Sequence, residues 1–576
     1  MKKTKLLSLL LSGALVFGLL AGCGGGTTST PAPAETGSAA PESTAPATTA
    51  NEITVNIASE PQTIDPALNS AVDGAIMINH MFEGLMRWVD SGVETAGSDG
   101  TCTNAELSYG QAESYDKVTN EDGTVTYTFH LRDGIMWSDG QPVTASDFVF
   151  SWQRLVSPET AADYSYMIDC VVNANAIMNG EMDPSELAVS APDEKTFVVT
   201  ITSDLPYFTE LCAFPATFPV RQDVVSNPEW TYTPETYISN GAYKMTVRET
   251  NSQIVMEPNE YYYNVDKLGP QKITFKLMDD NNAQLNGFKT GELDFIQTVP
   301  VDEVAGLLSS GEMKVVDYLG TYYVCYQTQK APFDDWRVRK AFTLAVDRNY
   351  IVTEITQTGQ VEAGAYVPAG VYDAAGVEGD DFRTVGGDYY DPTADSYEAN
   401  CEEARALLAE AGYPNGEGFP VVEYLYNTDD NHKAIAEALQ NMWQTELGVT
   451  VTLTNQEWGT FLQTRKDGDY SIARNGWIAD YNDPMTFLDM WLTGGGNNDA
   501  QYSNPDYDAK IQEAKATSDV ATRMQLMHEA EDILLEQDWV VNPLYFYTQS
   551  YMLADGIEGM YYCPLGYFFF DTCTQG

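Results

Sequence analysis

Histidine is scarce in this chain, four in 576 residues, and basic residues are few, with 30 Lys and Arg against 84 Asp and Glu. The formal charge is −54. So acidic a surface repels nucleic acid and anionic lipid, which argues against a DNA- or RNA-binding role. The histidines, His80, His130, His432 and His528, lie far apart and show no zinc-ligand spacing. There is no G-x-S-x-G, no Gly-Lys pair and no H-E-x-x-H, so the common nucleophile, phosphate-loop and zinc-protease patterns are missing. Paired carboxylates are unavoidable among so many acids and carry no weight. The chain therefore reads as non-enzymatic, with no cofactor and no metal. No C-x-x-C occurs, and beyond the N-terminal leader no apolar run is long enough to cross a bilayer.

What is present starts at the N-terminus. Lys2, Lys3 and Lys5 precede a mostly apolar run from Leu6 to Leu20. Fifteen residues are too few for a comfortable span of ~20 and fit a secretory leader. The run closes on Leu20-Ala21-Gly22-Cys23, which resembles the lipobox of bacterial lipoproteins. That resemblance implies removal of 1–22 and diacylglyceryl attachment at Cys23, and two acyl chains give stable membrane anchoring. Residues 24–50 hold only Gly, Thr, Ser, Pro, Ala and two Glu, so they read as a disordered tether. As a flexible coil it spans roughly 30 Å. Seven further cysteines follow, at 102, 170, 212, 325, 401, 563 and 573. The odd number leaves at least one thiol free or shared, and sequence alone does not pair them.

From Asn51 the composition is globular, and at ~150 residues per domain the remaining length implies two to four domains. Helix and strand signals alternate. Tyr127, Phe129 and Leu131 alternate with polar residues as a half-buried strand. Thr144-Ala-Ser-Asp147 resembles a capping box ahead of Phe148, Val149, Trp152, Leu155 and Val156 on one helix face. Ala404, Leu407, Leu408 and Ala411 repeat that spacing before Gly412. A third stripe, Ile435, Ala438, Leu439, Met442 and Trp443, stops near Gly448, and Val449, Val451 and Leu453 then alternate as a strand. Helix, glycine, strand is the grammar of an α/β fold.

One stretch narrows the reading. It holds Asn427-Thr-Asp-Asp-Asn-His432, Trp443, Asn455-Gln-Glu-Trp458, Arg465 and Ala473-Arg474-Asn-Gly-Trp477-Ile-Ala-Asp480-Tyr-Asn-Asp483-Pro484. Ordered blocks accompany it: Glu60-Pro-Gln-Thr-Ile-Asp65-Pro, Phe82-Glu-Gly-Leu85, Trp137-Ser-Asp-Gly-Gln-Pro-Val-Thr, Ser239-Asn-Gly-Ala-Tyr243, Gly291-Glu-Leu-Asp294, Asp347-Arg348 and Ala409-Glu-Ala-Gly-Tyr413-Pro. Together they resemble the oligopeptide-binding proteins of ABC importers, the family-5 solute-binding proteins, over nearly all of 52–576.

The resemblance implies an α/β, two-lobed periplasmic-binding-protein-like fold of type II with an extra inserted domain. Lobe I would comprise 51–82, 224–319 and 548–576. The smaller inserted domain would be 83–223, and lobe II 320–547. It further implies that Asp480 takes a peptide's α-ammonium beside Trp477. Arg474, Arg465 and His432 would lie toward the carboxylate end, and Tyr164 and Tyr323 would line the cleft. The main chain from Ser70 to Val72 would pair with the ligand backbone. Taken singly, Asp480 could be a turn acid, Arg474 a surface ion-pair member, and Trp477 or Tyr323 a core aromatic. Two departures stand out. A lysine that meets short ligands in some relatives falls here near Thr356, and a cleft disulfide of some relatives would fall at Gly320 and Ile478, which are not cysteines.

The expected partners are short peptides, ABC permease subunits and the membrane through the lipid anchor, with no nucleic acid and the protein a monomer. Its place would be the outer face of the cytoplasmic membrane. The same fold could instead serve another cargo, such as a nickel chelate, haem, a sugar or a signalling peptide. A lipid-anchored hydrolase or adhesin is the more distant reading. An anion and a cation in one cleft favour peptides, because a neutral sugar needs neither.

Overall fold

The protein is described by a computed structural model covering residues 51–576. The leader, Cys23 and the tether lie outside the described residues.

An eleven-stranded sheet is the spine. Its order is Val451–Gln456, Val422–Asn427, Ile472–Ile478, Lys314–Tyr326, Val541–Leu553, Phe295–Ile296, Glu52–Asn56, Lys272–Lys276, Gln253–Pro258 and Tyr243–Glu249, with Val361–Glu362 also on Val541–Leu553. The two central strands have thirteen residues each and pair antiparallel twice. Lys314 to Asp317 face Tyr551 to Thr548, the register slips between Asp317 and Thr321, and pairing resumes from Thr321 opposite Phe546. On one side of the slip, Leu553 and Met552 take Phe295 and Ile296 as neighbours. On the other, Gly320 to Tyr326 pair with Ile478 to Ile472. The sheet is thus two half-sheets sharing two strands, the architecture expected of a two-lobed α/β fold.

Two four-stranded sheets complete the β structure. One joins Ala112–Thr119, Val125–Leu131, Thr196–Ile201 and Val189–Asp193. The other joins Met86–Glu94 and Cys102–Tyr109 to the C-terminal strands Met560–Cys563 and Tyr567–Phe569. Residues 86–109 therefore share a sheet with the C-terminal segment, so main-chain pairing crosses the boundary expected at 82/83.

Local rules explain many elements. In Val125–Leu131 the odd-numbered side chains Val125, Tyr127, Phe129 and Leu131 are buried, as period-2 alternation requires. Helix Ala145–Val156 opens with the capping box: the Thr144 N–H donates to Asp147 Oδ2 at 2.8 Å. Trp152 is fully buried on its inner face, its indole N–H donating to the Thr217 carbonyl at 3.0 Å. Helix Asp430–Leu447 is capped by Asp429, which accepts the His432 N–H at 2.9 Å, and stops at Gly448, whose φ of 68° suits glycine. All seven cysteines among the described residues are buried free thiols. Gly320 and Ile478 are register partners.

Trp443 ties this helix to the lobe beneath it. It is fully buried, lies 5.2 Å from Phe342 ring to ring, and donates to the Phe342 carbonyl at 2.8 Å. Trp443→Ala is expected to cost about 3–5 kcal/mol, as cavity and lost hydrogen bond add. It should appear as a lower denaturant midpoint at unchanged slope.

Candidate functional site

A cavity of about 360 Å³ lies where the two half-sheets meet. Eight of the nine residues expected at the site line it: Ser70, Val72, Tyr164, His432, Arg465, Arg474, Trp477 and Asp480. They come from scattered elements. Ser70 leads into helix Val72–Met81, His432 sits in the first turn of Asp430–Leu447, and Arg465 in the last turn of Trp458–Lys466. Arg474 and Trp477 belong to strand Ile472–Ile478, and Asp480 follows its end.

That strand is paired with Gly320–Tyr326 along its whole length on one edge. On the other edge only Ile472 and Ala473 pair, with Tyr424 and Leu425. From Arg474 onward the second edge is open, and it forms the cavity wall. The Gly476 N–H is satisfied locally by Asn475 Oδ1 at 2.8 Å. A side chain at Gly476 would not fit, since a Cβ would sit 2.4 Å from the Tyr547 hydroxyl oxygen. Across the same cavity Ala71 is extended, with φ −135° and ψ 148°, so two stretches of extended backbone line it.

Asp480 is 7% exposed. Its Oδ1 accepts from the Tyr164 hydroxyl at 3.1 Å and its Oδ2 from Thr486 Oγ1 at 3.1 Å. Thr486 Oγ1 in turn accepts the Asp480 N–H at 3.0 Å. Among the described residues no Lys, Arg or His nitrogen is in ion-pair contact with it. Burial therefore pushes its carboxyl well above the usual range, and the two hydroxyls only partly oppose this.

Arg474 is its counterpart in sign. Its guanidinium lies 5.4 Å from the Tyr322 ring centre and 5.7 Å from that of Trp458, and its Nε is buried without a hydrogen-bond partner. No carboxylate among the described residues forms an ion pair with it. The cavity wall thus holds one buried acid and one half-buried base, neither ion-paired with another side chain among the described residues.

The other residues differ in kind. Arg465 is already paired, its Nε 2.6 Å from Asp499 Oδ2, although its Nη1 has no hydrogen-bond partner. His432 is held neutral, because burial and then the Arg474 charge push its pKa well below the ordinary value. Its Nδ1 is 3.3 Å from the Tyr322 hydroxyl. Trp477 is 6.0 Å from Tyr164 ring to ring, and its indole N–H lacks a partner. The structure does not bring Tyr323 to the cavity. Its strand is buried on both faces, and the side chain points into the core against Tyr366 and Trp491. Thr356 also stays away from the cavity, hydrogen-bonded to Gln360 Oε1 at 2.9 Å.

Several lining residues were not anticipated. Lys466 lies between Asp163, with which it is ion-paired, and Ser70 Oγ at 3.3 Å, so it joins both walls. Asp73, Trp458, Tyr547 and Tyr567 are among the further residues that line it. Nothing local marks them, because one acid among 84 or one aromatic in a helix has many ordinary explanations. Beside the cavity, Lys515 bridges Asp169 at 2.6 Å and Asp489 at 3.3 Å, and Tyr207 stacks on Tyr481 at 4.2 Å.

Comparison with known proteins fits this geometry. The profile of the bacterial extracellular solute-binding proteins, family 5 Middle, matches residues 106–499. The periplasmic oligopeptide-binding protein OppA of Salmonella typhimurium is 36% identical over 511 residues, 88% of each chain. The crystal structure of Haemophilus influenzae OppA in complex with RPPGFSPFR superposes with a TM-score of 0.82 at 33% identity, over 91% of this chain and 99% of that one. The Escherichia coli murein tripeptide binding protein MppA superposes with a TM-score of 0.81 at 32% identity, over 91% of this chain and 98% of that one. Its unliganded open form gives 0.58 at the same identity, over 91% and 97%.

Proposed function

The chain belongs to the bacterial extracellular solute-binding proteins of family 5, and we propose on that footing that it captures short peptides between two closing lobes and hands them to an ABC permease. The observation that carries this is a buried acid and a half-buried guanidinium on one cavity wall, neither of them ion-paired among the described residues. Every linear peptide brings an ammonium, a carboxylate and a backbone, whatever its side chains. Asp480 takes the ammonium through charge-assisted hydrogen bonds, and Arg474 grips the carboxylate. The open edge from Arg474 to Ile478 and the extended stretch at Ser70 to Val72 take the backbone, as an added strand. The Gly476 N–H then exchanges its Asn475 contact for a ligand carbonyl.

The dimensions fit this assignment. Arg474 and Asp480 are six residues apart, roughly 20 Å along an extended chain. Allowing for both side chains leaves a gap of roughly 10–15 Å, which three to five extended residues span. A cavity of about 360 Å³ holds about a dozen waters at roughly 30 Å³ each, room for a peptide at the short end of that range. Arg465 and His432 serve longer ligands, partly through water.

The lobes are 51–82, 224–319 and 548–576 against 320–547, with 83–223 as an inserted domain, and they hinge where the register slips between Asp317 and Thr321. The contrast between the two MppA forms, one protein with two scores, supports reading this structure as the closed arrangement. Anchoring through Cys23 would keep the monomer at the outer membrane face beside its permease.

Mass spectrometry of what co-purifies from rich medium tests the cargo. A mixture of short peptides is expected, and a single non-peptide solute would overturn the reading. In scattering measurements the emptied protein should show a larger radius of gyration that falls on adding peptide. An unchanged radius would count against closure.

A further inference from the structure

The inserted segment 83–223 is attached to its two neighbours in different ways. Toward lobe I the attachment is continuous. Cys102 to Asn104 pair with Met560 to Tyr562 in one sheet, and Arg154 grips the buried Asp65 with two hydrogen bonds of 2.9 and 2.6 Å. Toward lobe II, 320–547, no backbone-to-backbone hydrogen bond joins the two among the described residues. Side chains meet there instead. Lys466 pairs with Asp163, Lys515 pairs with Asp169 at 2.6 Å, and Tyr207 stacks on Tyr481 at 4.2 Å with the rings 7° from parallel. The Glu210 carboxylate accepts the Asn482 N–H at 3.1 Å.

This seam differs from ordinary packing. Both lysines stand on lobe II and both of their acids on the insert, so the two faces attract although the whole chain carries −54. The lobe II side is braced without the insert. Lys515 also contacts Asp489 at 3.3 Å, and Arg523, bonded twice to Asp483 at 2.7 Å, lies 5.3 Å from the Tyr207 ring centre. Two backbones also come close. Gly496 lies against Asp163, and a Cβ there would sit 2.5 Å from the Asp163 carbonyl oxygen and 2.8 Å from its Cα. The φ of Gly496 is not in the left-handed region, so space rather than conformation calls for glycine. Asp163, Asp169, Tyr207, Tyr481, Lys515 and Gly496 all stand outside the cavity lining, so none needs a ligand to make its contact.

We propose that the insert is the clasp of the closed form: it travels with lobe I and, on closing, grips lobe II through Asp163, Asp169, Tyr207 and the contact at Gly496. The proposal rests on the peptide and closure reading above and adds a grip that does not depend on what the cleft holds. Such a grip shifts the equilibrium toward closure by the same factor for every ligand. Peptides of different length and sequence then share one closing contribution, and the contacts at Asp480 and Arg474 add to it. The clasp acts after encounter, so it lengthens residence and leaves association unchanged.

The test compares the emptied, full-length protein with two variants, Gly496→Val and Asp169→Asn. Calorimetry with a tripeptide, a pentapeptide and the amide of the tripeptide should give one common loss for all of them. We expect about tenfold or more in Gly496→Val, and about three- to thirtyfold in Asp169→Asn, where Lys515 keeps Asp489. Stopped-flow mixing should place the loss in dissociation. At saturating peptide, scattering should give Gly496→Val a larger radius of gyration than the wild type. The melting temperatures of the emptied variants should match the wild type, because the open form lacks these contacts. Unchanged affinity in both variants overturns the clasp and leaves the peptide reading standing. So does a loss that differs from peptide to peptide, since the seam would then be sensing cargo. A lowered melting temperature in both emptied variants overturns it as well, because the seam would be permanent packing. A wild type that binds no peptide overturns the reading beneath it. The two variants act on different contacts, so either one decides alone if the other fails to fold.

Discussion

Asp480→Ala is expected to lower affinity for unmodified peptides by about two to four decades. The estimate follows from burying an ammonium whose counter-charge has gone, which costs about 3–5 kcal/mol. The carboxylate has the Tyr164 and Thr486 hydroxyls as its side-chain partners, so on the proposed reading the peptide's ammonium completes the pair. An N-acetylated peptide has no ammonium to lose, and its weak binding should be little changed by the substitution. Calorimetry of free and acetylated peptides on both proteins closes the cycle. Equal losses for the two would sink the assignment.

The pH dependence has a definite sign. Burial raises the Asp480 carboxyl in the empty closed arrangement, so protonation favours that arrangement. Its contribution is fully present below the ordinary carboxylate value near 4 and is lost as pH rises through the raised one. Asp73, lifted to about 6, and Asp489, lifted to about 7 with Lys515 opposing, act in the same direction. On the proposed closure, an empty cleft should resist closing above that window and a peptide-filled one should not. Affinity should correspondingly fall as pH drops into the carboxylate range, because the ammonium needs Asp480 ionised.

The second large effect is at Arg474. Arg474→Met keeps a long apolar stem against Tyr322 and Trp458 and removes a half-buried cation that no carboxylate among the described residues neutralises. Stability and affinity should separate. The melting temperature of the empty protein should hold or rise, since a desolvated charge has been replaced by a thioether of similar length. Affinity for peptides with a free carboxylate should fall about ten- to a thousandfold, by analogy with other truncated buried charge pairs that cost 2–5 kcal/mol, less what Arg465 and water recover. Peptide amides should show little of this loss. A variant that loses stability and binds amides and acids with equal loss would mean that Arg474 is a packing residue.

These assignments divide by how far apart in sequence their causes lie. The box at Thr144 and Asp147, the alternation of Val125–Leu131 and the stop at Gly448 are legible because each depends on a few adjacent residues. The two-lobed α/β fold and eight of the residues that line the cavity were legible through ordered blocks of resemblance. The pairing of Lys314 with Tyr551 was not, for no local rule reaches across 237 positions. Tyr323, packed against Tyr366 and Trp491, shows what resemblance leaves open. In a strand buried on both faces, alternation assigns a side chain to one face without saying which face is the cleft. Asp73 shows the opposite limit. Its carboxyl sits against the Trp458 indole, 385 positions away, a neighbour that appears only in three dimensions.

The thiols described with the fold have a use of their own. In the native state none of the seven is exposed, and burial holds them protonated and inert toward alkylating reagents. Every modification event therefore counts an opening of the structure. The seven are spread unevenly: Cys102, Cys563 and Cys573 toward the chain's end sheet, Cys325 and Cys401 in the half that carries Asp480, and Cys170 and Cys212 in the segment that supplies Tyr164. Mass-resolved alkylation at graded denaturant would turn this unmodified chain into its own set of local unfolding clocks, with no probe to install.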